Sequence, residues 1–177
     1  MTTLQDHLRF PRTPKSDRRC SRTPSSCGAT TWWGDSLLVR YGVAGPTGRA
    51  ALMRIEPAHR VIEVGGIVYS PRLQRTRGAT EAMYLLARHV FDELGYRRYE
   101  WKCNALNQPS RSAARRLGFT FEGIFRQHLI IKSRSRDTAW FSMLDTEWPD
   151  RKTRFERWLA PDNFDADGHQ LSPLSAS

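Results

Sequence analysis

The segment from residue 61 to residue 94 constrains the fold most, because it joins an apolar strand to a long amphipathic helix. The strand, Val61–Tyr69, is almost continuously apolar and ends before Pro71, which cannot donate to a sheet ladder. The helix is predicted to end at Gly95. A strand that leads into a helix start gathers unpaired backbone N–H groups, and such a point favours an anion. The apolar stripe of the helix, spaced by three and four residues, consists of Ala79, Met83, Leu86, Val90 and Leu94.

Further strands are predicted on both sides of this segment. Residues 96–103 alternate, so Tyr99 and Trp101 are expected on one face of a strand, with Glu100 and charged neighbours on the other. A short helix is predicted from about Pro109 to Leu117. This order indicates an α+β fold with a mixed sheet covered by helices. The other predicted elements are strands at 37–43, 51–55, 119–125, 129–131 and 139–144, turns at 45–48 and 133–137, and a helix at 154–159.

Length and composition favour one soluble domain with a basic extension. The 177 residues carry a net charge of +10. Residues 1–34, rich in Arg, Ser, Thr and Pro, are predicted to form a disordered basic arm. Residues 35–148 are expected to form the domain, and residues 149–177 a C-terminal helix and a loose tail. No apolar run approaches the roughly 18 residues of a membrane helix, and no secretory signal is found, so we expect no membrane partner.

Neither a disulfide framework nor a metal site is predicted. The three cysteines cannot all pair and lack zinc spacing, which favours a reducing cytoplasm. The stretch at 163–168 is similar to the start of a calcium loop. Its twelfth position is Leu174, however, so the bidentate glutamate of such loops is missing.

Four ordered segments resemble the GNAT superfamily of N-acetyltransferases, and the nearest type is Rim, which acetylates protein N-termini and small amines. They are IEVGGIVYSP, LQRTRGATEAMYLL, NQPSRSAARRLGFTFEG and DTAWFSML, all within residues 62–148. The resemblance implies a three-layer α/β/α acyl-CoA N-acyltransferase fold whose mixed sheet is mostly antiparallel. It also implies acetyl transfer from acetyl-CoA, without a metal, to a primary amine on a protein N-terminus or a small molecule. The N-terminal strand and helices of that family are not recognisable in the sequence.

The same resemblance implies which residues bind the coenzyme. The family loop wraps the pyrophosphate with backbone amides, and the pantetheine arm pairs with a strand end. The position of the loop's central glycine is Arg77 here, and its guanidinium is within reach of a phosphate. Asn107 and Ser110 would meet the pantetheine and the thiol. The implied loop residues are Gln74, Arg75, Thr76, Arg77, Gly78 and Ala79, and the implied strand residues are Ile67, Val68 and Tyr69.

An ammonium acceptor must lose a proton before it attacks a thioester, so the reaction needs a base. Glu63 fits best, because it lies within the apolar strand four residues before the pantetheine-pairing segment. Glu100 is the second candidate, although the basic residues around it favour an ion pair. His59 and His128 have no support from their surroundings. Many relatives carry a tyrosine acid where this chain has Ala114, so Ser110 is the predicted acid.

Two other functions remain open. A catalytically inactive acyl-CoA-binding relative is suggested by Ala114 and by the unrecognised N-terminal elements. A nucleic-acid-binding protein is suggested by the net charge of +10 and the basic arm, but no nucleic-acid module is found, so it is the less favoured reading. The protein is expected to act as a monomer or a homodimer.

Overall fold

The computed structural model describes residues 35–40 and 46–174. Its strands are β1 (Asp35–Arg40), β2 (Pro46–Glu56), β3 (Val61–Tyr69), β4 (Arg98–Asn104), β5 (Thr120–Ile131) and β6 (Arg134–Leu144). Its helices are α1 (Arg77–Arg88), α2 (Gln108–Arg116) and α3 (Trp148–Leu159), with a π-helical continuation of α1 at His89–Glu93 and a 3₁₀ turn at Pro161–Asn163. The predicted α+β class is confirmed.

The strands form one mixed sheet in the order β1-β2-β3-β4-β6-β5. Of the five neighbouring pairs among the described strands, four are antiparallel, and the pair β3 and β4 is parallel. The parallel pair is joined by α1, as the apolar strand and amphipathic helix predicted. The mixed, mostly antiparallel sheet expected from the sequence is therefore confirmed.

The described helices cover the sheet face that carries Tyr99 and Trp101. Phe91 of the π-helical turn packs edge-on against Tyr99 and stacks on Trp148 of α3. Phe119, which follows α2, packs against both Tyr99 and Trp101. This aromatic cluster is buried, and aromatic side chains contribute much buried apolar area to a core. Three residues of the predicted stripe, Met83, Leu86 and Val90, are buried, whereas Ala79 and Leu94 are half-buried. Gly95 follows the helix with a φ of 66°.

Several element boundaries differ from the sequence-based expectation. β5 is a single strand of 12 residues rather than two, because the polar residues in its middle form a register shift between Phe125 and Leu129. β2 begins at Pro46 and so includes most of the predicted 45–48 turn, and β6 begins at Arg134 within the predicted 133–137 turn. Helix α3 begins at Trp148, six residues earlier than predicted, with proline in its first turn.

The C-terminal segment is packed where a loose tail was predicted. Phe164 contacts the Trp158 ring edge-on, and Asn163 binds the backbone carbonyls of Trp158 and Ser172. Leu174 is buried. The predicted basic arm, residues 1–34, lies outside the described residues.

Candidate active site

A fork between β3 and β4 marks the candidate site. The parallel pairing runs only from Val61–Arg98 to Val64–Trp101. Beyond it β3 stays paired with β2 as far as Tyr69, while β4 stays paired with β6 as far as Asn104. Among the described residues, the edge of β3 that faces β4 therefore has no strand partner after Val64. Such an edge offers backbone groups to an extended ligand.

The predicted strand residues Ile67, Val68 and Tyr69 all lie on this free part of β3. Ile67 and Tyr69 pack partly against the core, whereas Val68 is 56% exposed. The backbone carbonyl of Tyr69 accepts a hydrogen bond from Gln74 Nε2 at 2.8 Å, so this predicted loop residue holds the loop to the strand end.

The loop between β3 and α1 is organised by Thr76 and Leu73. Thr76 caps α1: its hydroxyl accepts from the Ala79 N–H at 3.2 Å and donates to the Leu73 carbonyl at 2.7 Å. Leu73 is fully buried and anchors the loop, and Arg75 adopts a φ of 62°. The amides at the first two helical positions, Arg77 and Gly78, have no intrahelical partner by geometry. The helix start at which an anion was predicted to bind therefore presents a set of backbone donors.

The side chain of Arg77 does not serve this site. Its guanidinium donates to the backbone carbonyl of Leu159 and lies 5.1 Å from the centre of the Phe164 ring. The expectation that this guanidinium reaches a phosphate is therefore wrong in this structure. Arg77 can therefore contribute to this anion site through its backbone N–H, and not through its side chain.

Asn107 and Ser110 lie at the start of α2, next to the fork. Asn107 caps the helix, with Oδ1 accepting from the Ser110 N–H at 3.1 Å. The Ser110 hydroxyl accepts from Trp101 Nε1 at 3.0 Å. Because Trp101 is the last β4 residue in the parallel pairing, this bond places the hydroxyl at the fork. The oxygen accepts from the indole, so the hydroxyl hydrogen is free to be donated elsewhere.

Glu63 lies on the sheet face opposite to that of Trp101, one residue before the pairing between β3 and β4 ends. Its side chain is buried. Its Oε2 atom contacts Lys102 Nζ at 3.0 Å and Arg54 Nε at 3.2 Å. Neither contact has the alignment of a hydrogen bond. The carboxyl is therefore not isolated in apolar surroundings, as the apolar strand around it suggested, but paired with two cations.

Ionic contacts continue from Glu63 across the sheet, in a series that we call the charge chain: Arg54, Glu63, Lys102, Glu100, Arg98 and Glu122. Lys102 Nζ contacts Glu100 Oε2 at 2.6 Å. Arg98 contacts Glu100 Oε1 at 2.7 Å and donates to Glu122 Oε1 at 2.8 Å. Ser142 donates to Glu122 at 2.7 Å. The charge chain thus links residues of β2, β3, β4 and β5.

The charge chain holds two carboxyls in their ionised form. Burial raises the pKa of Glu100, but hydrogen bonds from Lys102 and Arg98 outweigh this and hold the pKa below its usual range. Hydrogen bonds from Arg98, against a smaller effect of burial, lower the pKa of Glu122. The ion pair predicted for Glu100 is confirmed. Lys102 and Glu122 were missed as site residues, because an alternating strand suggests that its charged positions face solvent.

The two histidine candidates have different positions. His59 precedes β3 at the end of the strand opposite the fork, and its carbonyl accepts from Arg97. His128 contacts Thr138 Oγ1 at 3.0 Å and packs beside the Phe125 and Trp140 rings. In the part of the chain that the structure describes, Glu63 pairs with Arg54 and Lys102 and with neither histidine.

The family of the chain follows from its sequence. A profile of the acetyltransferase (GNAT) domain matches residues 6–120, which include the fork, α1 and the start of α2. The chain belongs to the GNAT acetyltransferase family. The match begins at residue 6 and so extends into the segment predicted as an arm. No protein with a curated description matched the chain.

Solved structures agree with the family. A GCN5-related N-acetyltransferase from Brucella melitensis is 54% identical, with 80% of this chain and 65% of that chain covered and a TM-score of 0.78. A GNAT-family protein from Chromobacterium violaceum is 44% identical, with 68% and 61% covered and a TM-score of 0.64. The chain thus spans 65% and 61% of the length of these two proteins. A variant of spermidine N-acetyltransferase from Vibrio cholerae, 20% identical over 66% of this chain and 69% of that chain, shares the fold with a TM-score of 0.59.

The described residues hold one group of potential metal ligands, outside the fork. Asp165, Asp167 and His169 place ligand atoms within 4.8 Å of one another, and all three are exposed. Asp165 uses Oδ1 to accept the backbone N–H groups of the other two, as in an ordinary turn. None of the described helices has the length and apolar character needed to cross a membrane.

Proposed function

We propose that this GNAT-family chain transfers the acetyl group of acetyl-CoA to a primary amine, as a Rim-type enzyme acting on a protein N-terminus or a small amine. The observation that carries the proposal is the fork between β3 and β4, with the capped start of α1 and the Ser110 hydroxyl beside it. Backbone amides at 77–78 fit a pyrophosphate, and the free edge of β3 fits an extended pantetheine arm.

Acetyl-CoA supplies an activated acyl carbon, and residues of this chain bind the donor and transfer the protons. The amides of Arg77 and Gly78 orient the donor, and the β3 edge at 67–69 holds its arm at the fork. Glu63 accepts a proton from the ammonium of the acceptor, directly or through a water, so that the amine attacks in a ternary complex. Ser110 donates its hydroxyl hydrogen toward the departing sulfur. We propose that the reaction takes place in the cytoplasm, without metal, nucleic acid or membrane, in a monomer or homodimer.

The decisive experiment is an acetyl-CoA titration followed by a screen of acceptors. A coenzyme present at 100 times its dissociation constant should add about 2.7 kcal/mol to the free energy of unfolding. Thiol release is then measured with small amines and with peptides that have free N-termini. The absence of any thermal shift at millimolar acetyl-CoA would refute the coenzyme assignment.

Two variants test the assigned roles against matched controls. Glu63→Gln should lower kcat/KM by about 10²- to 10⁴-fold while keeping the acetyl-CoA shift. Its control is Glu56→Gln, an exposed carboxyl on β2. Ser110→Ala should lower kcat more than it changes KM, with Ser112→Ala on the same helix as control. A Glu63→Gln enzyme with unchanged kcat/KM would remove Glu63 from the mechanism.

A second candidate, a catalytically inactive acyl-CoA binder, is favoured by one observation. Position 114, in α2, is a fully buried alanine, so this chain has no phenol acid at the position where many relatives have one. This candidate predicts the same coenzyme shift without thiol release against any amine. Release with a single amine would exclude it.

A further inference from the structure

Lys102 occupies an unusual position in the charge chain. Its side chain is 8% exposed, although lysine is rarely buried in proteins unless it is paired. The ammonium lies between two carboxylates, 3.0 Å from Glu63 Oε2 and 2.6 Å from Glu100 Oε2, and 4.0 Å from the centre of the Trp140 ring. The aromatic ring and the two carboxylates together stabilise the cation.

The location of Lys102 relative to the fork matters as much as its contacts. Backbone pairing between β3 and β4 ends at Val64 and Trp101, and Lys102 is the next residue of β4. Its ammonium contacts Glu63, which lies one residue before Val64, the last residue of β3 that pairs with β4. A charge contact therefore joins the two strands at the point where backbone pairing between them stops.

We propose that Lys102 is a positioning residue that keeps Glu63 ionised and directed to the fork. The inference rests on the proposed function, in which Glu63 is the base. Glu63 accepts a proton only in its carboxylate form, and the 3.0 Å contact with the Lys102 ammonium favours that form. Lys102 is in turn held by Glu100, which Arg98 fixes from the far side.

Removal of the ammonium would leave Glu63 and Glu100 facing each other without a shared cation. Two neighbouring carboxylates repel each other, so one of them should take up a proton at a higher pH than it does in the wild-type protein. Arg54 cannot replace Lys102, because its side chain is 54% exposed and water screens its charge. The charged groups on the neighbouring elements are Arg54 on β2, Arg98 and Glu100 on β4, and Glu122 on β5.

The test compares pH profiles of kcat/KM for wild type, Lys102→Met, Lys102→Arg and a control, Lys152→Met. Lys152 pairs with Asp92 at the surface, away from the fork, at 2.7 Å. On the acid side of the profile kcat/KM falls with decreasing pH, and we call this part the acid limb. In Lys102→Met the midpoint of the acid limb should rise by about 1 to 3 pH units, and much of the rate should return at high pH. Lys102→Arg retains a cation and should restore the acid limb, and Lys152→Met should match wild type.

Two results would overturn the proposal. One is a Lys102→Met enzyme whose rate falls by the same factor at every pH, as a purely structural role predicts. The other is an acid limb unchanged from wild type. Thermal melts with and without acetyl-CoA show whether each variant is folded, and Lys102→Gln replaces the methionine variant if that one is not.

A second readout separates this inference from the proposed function. Carbon-labelled glutamate followed by NMR reports carboxyl titration without turnover, and Glu63→Gln assigns the signal. The Glu63 signal should titrate at higher pH in Lys102→Met than in wild type. If wild type acetylates no amine but the signal moves, the proposed function fails and the electrostatic role of Lys102 stands. If amines are acetylated and the signal does not move, the inference on Lys102 fails alone.

Discussion

Replacing Arg98 by methionine should destabilise the fold through the carboxylates left behind. Its guanidinium contacts Glu100 Oε1 at 2.7 Å and Glu122 Oε1 at 2.8 Å, and methionine donates to neither. The Glu100 side chain is 9% exposed, so water replaces little of the lost interaction, whereas that of Glu122 is 37% exposed and regains hydration.

The exposures set the size of the expected loss. Removing one partner of a buried pair costs about 3–5 kcal/mol, and an exposed pair contributes less than about 1 kcal/mol. Because Glu100 keeps its contact with Lys102 at 2.6 Å and Glu122 is partly hydrated, the loss should fall below the range for an unpaired buried charge, and we expect about 2 kcal/mol at pH 7. For a domain of this size that lowers Tm by roughly 4–8 °C.

The loss should depend on pH in a definite direction. Burial raises the pKa of Glu100, but hydrogen bonds from Lys102 and Arg98 outweigh it, and those from Arg98 lower the pKa of Glu122. A carboxyl with a lowered pKa in the folded state contributes stability above its unfolded pKa, about 4.3 for glutamate, and loses it as the pH falls through the folded pKa. The difference between wild type and variant should be largest above about pH 5 and shrink below about pH 4.

Urea denaturation followed by tryptophan fluorescence at pH 7, 5.5 and 3.5 measures this difference. The control is Arg126→Met, an exposed arginine on β5 that forms no ion pair within residues 35–40 and 46–174, and for it we expect a change below about 0.5 kcal/mol. A loss for Arg98→Met that is equal at pH 7 and pH 3.5, or below about 1 kcal/mol at pH 7, would refute the reasoning.

Three further changes test the packing of the core, of the loop beside the fork and of the C-terminal segment. Trp148→Phe removes the hydrogen bond from the indole to Asp92 Oδ1, 2.6 Å long, and should cost about 1–3 kcal/mol in a urea melt. Gly48→Ala places a Cβ 2.7 Å from Leu73 Cδ2 and from Tyr69 Cδ1, so it should cost about 1–3 kcal/mol and weaken acetyl-CoA binding in the same titration. Leu174→Ala should cost about 2 kcal/mol, and an unchanged Tm would show that the C-terminal segment is as loose as its sequence suggests.

Sequence patterns predicted the centre of the fold because its signals are local. The apolar run of β3, the helical stripe of α1 and the alternation of β4 each lie within one continuous segment of the chain and need no partner to be recognised. The packing of the C-terminal segment was not predicted, because only two apolar residues, Phe164 and Leu174, anchor a mostly polar stretch.

The candidate site was only partly predictable, because its details depend on distant contacts. The loop position at Arg77 was identified from sequence, but the direction of its side chain is set by Leu159, 82 residues later. Glu63 was recognised on its strand, whereas its pairing with Lys102 arises from the parallel register of β3 and β4. Such cross-strand contacts leave no periodic trace in a single sequence.

The irregular middle of β5 has a consequence for self-association. Among the described strands, β5 forms one edge of the sheet, and it exposes apolar side chains, with Phe125 at 52% and Ile130 at 82%. A long, regular, apolar edge strand is a template on which strands of other molecules add. Here the register shift between Phe125 and Leu129, with Gln127 at a φ of 51°, breaks the row of free backbone groups into short pieces. The same interruption made β5 look like two strands in the sequence. Because of it, a neighbouring molecule finds no continuous edge on β5 to which a strand could add and start a fibril.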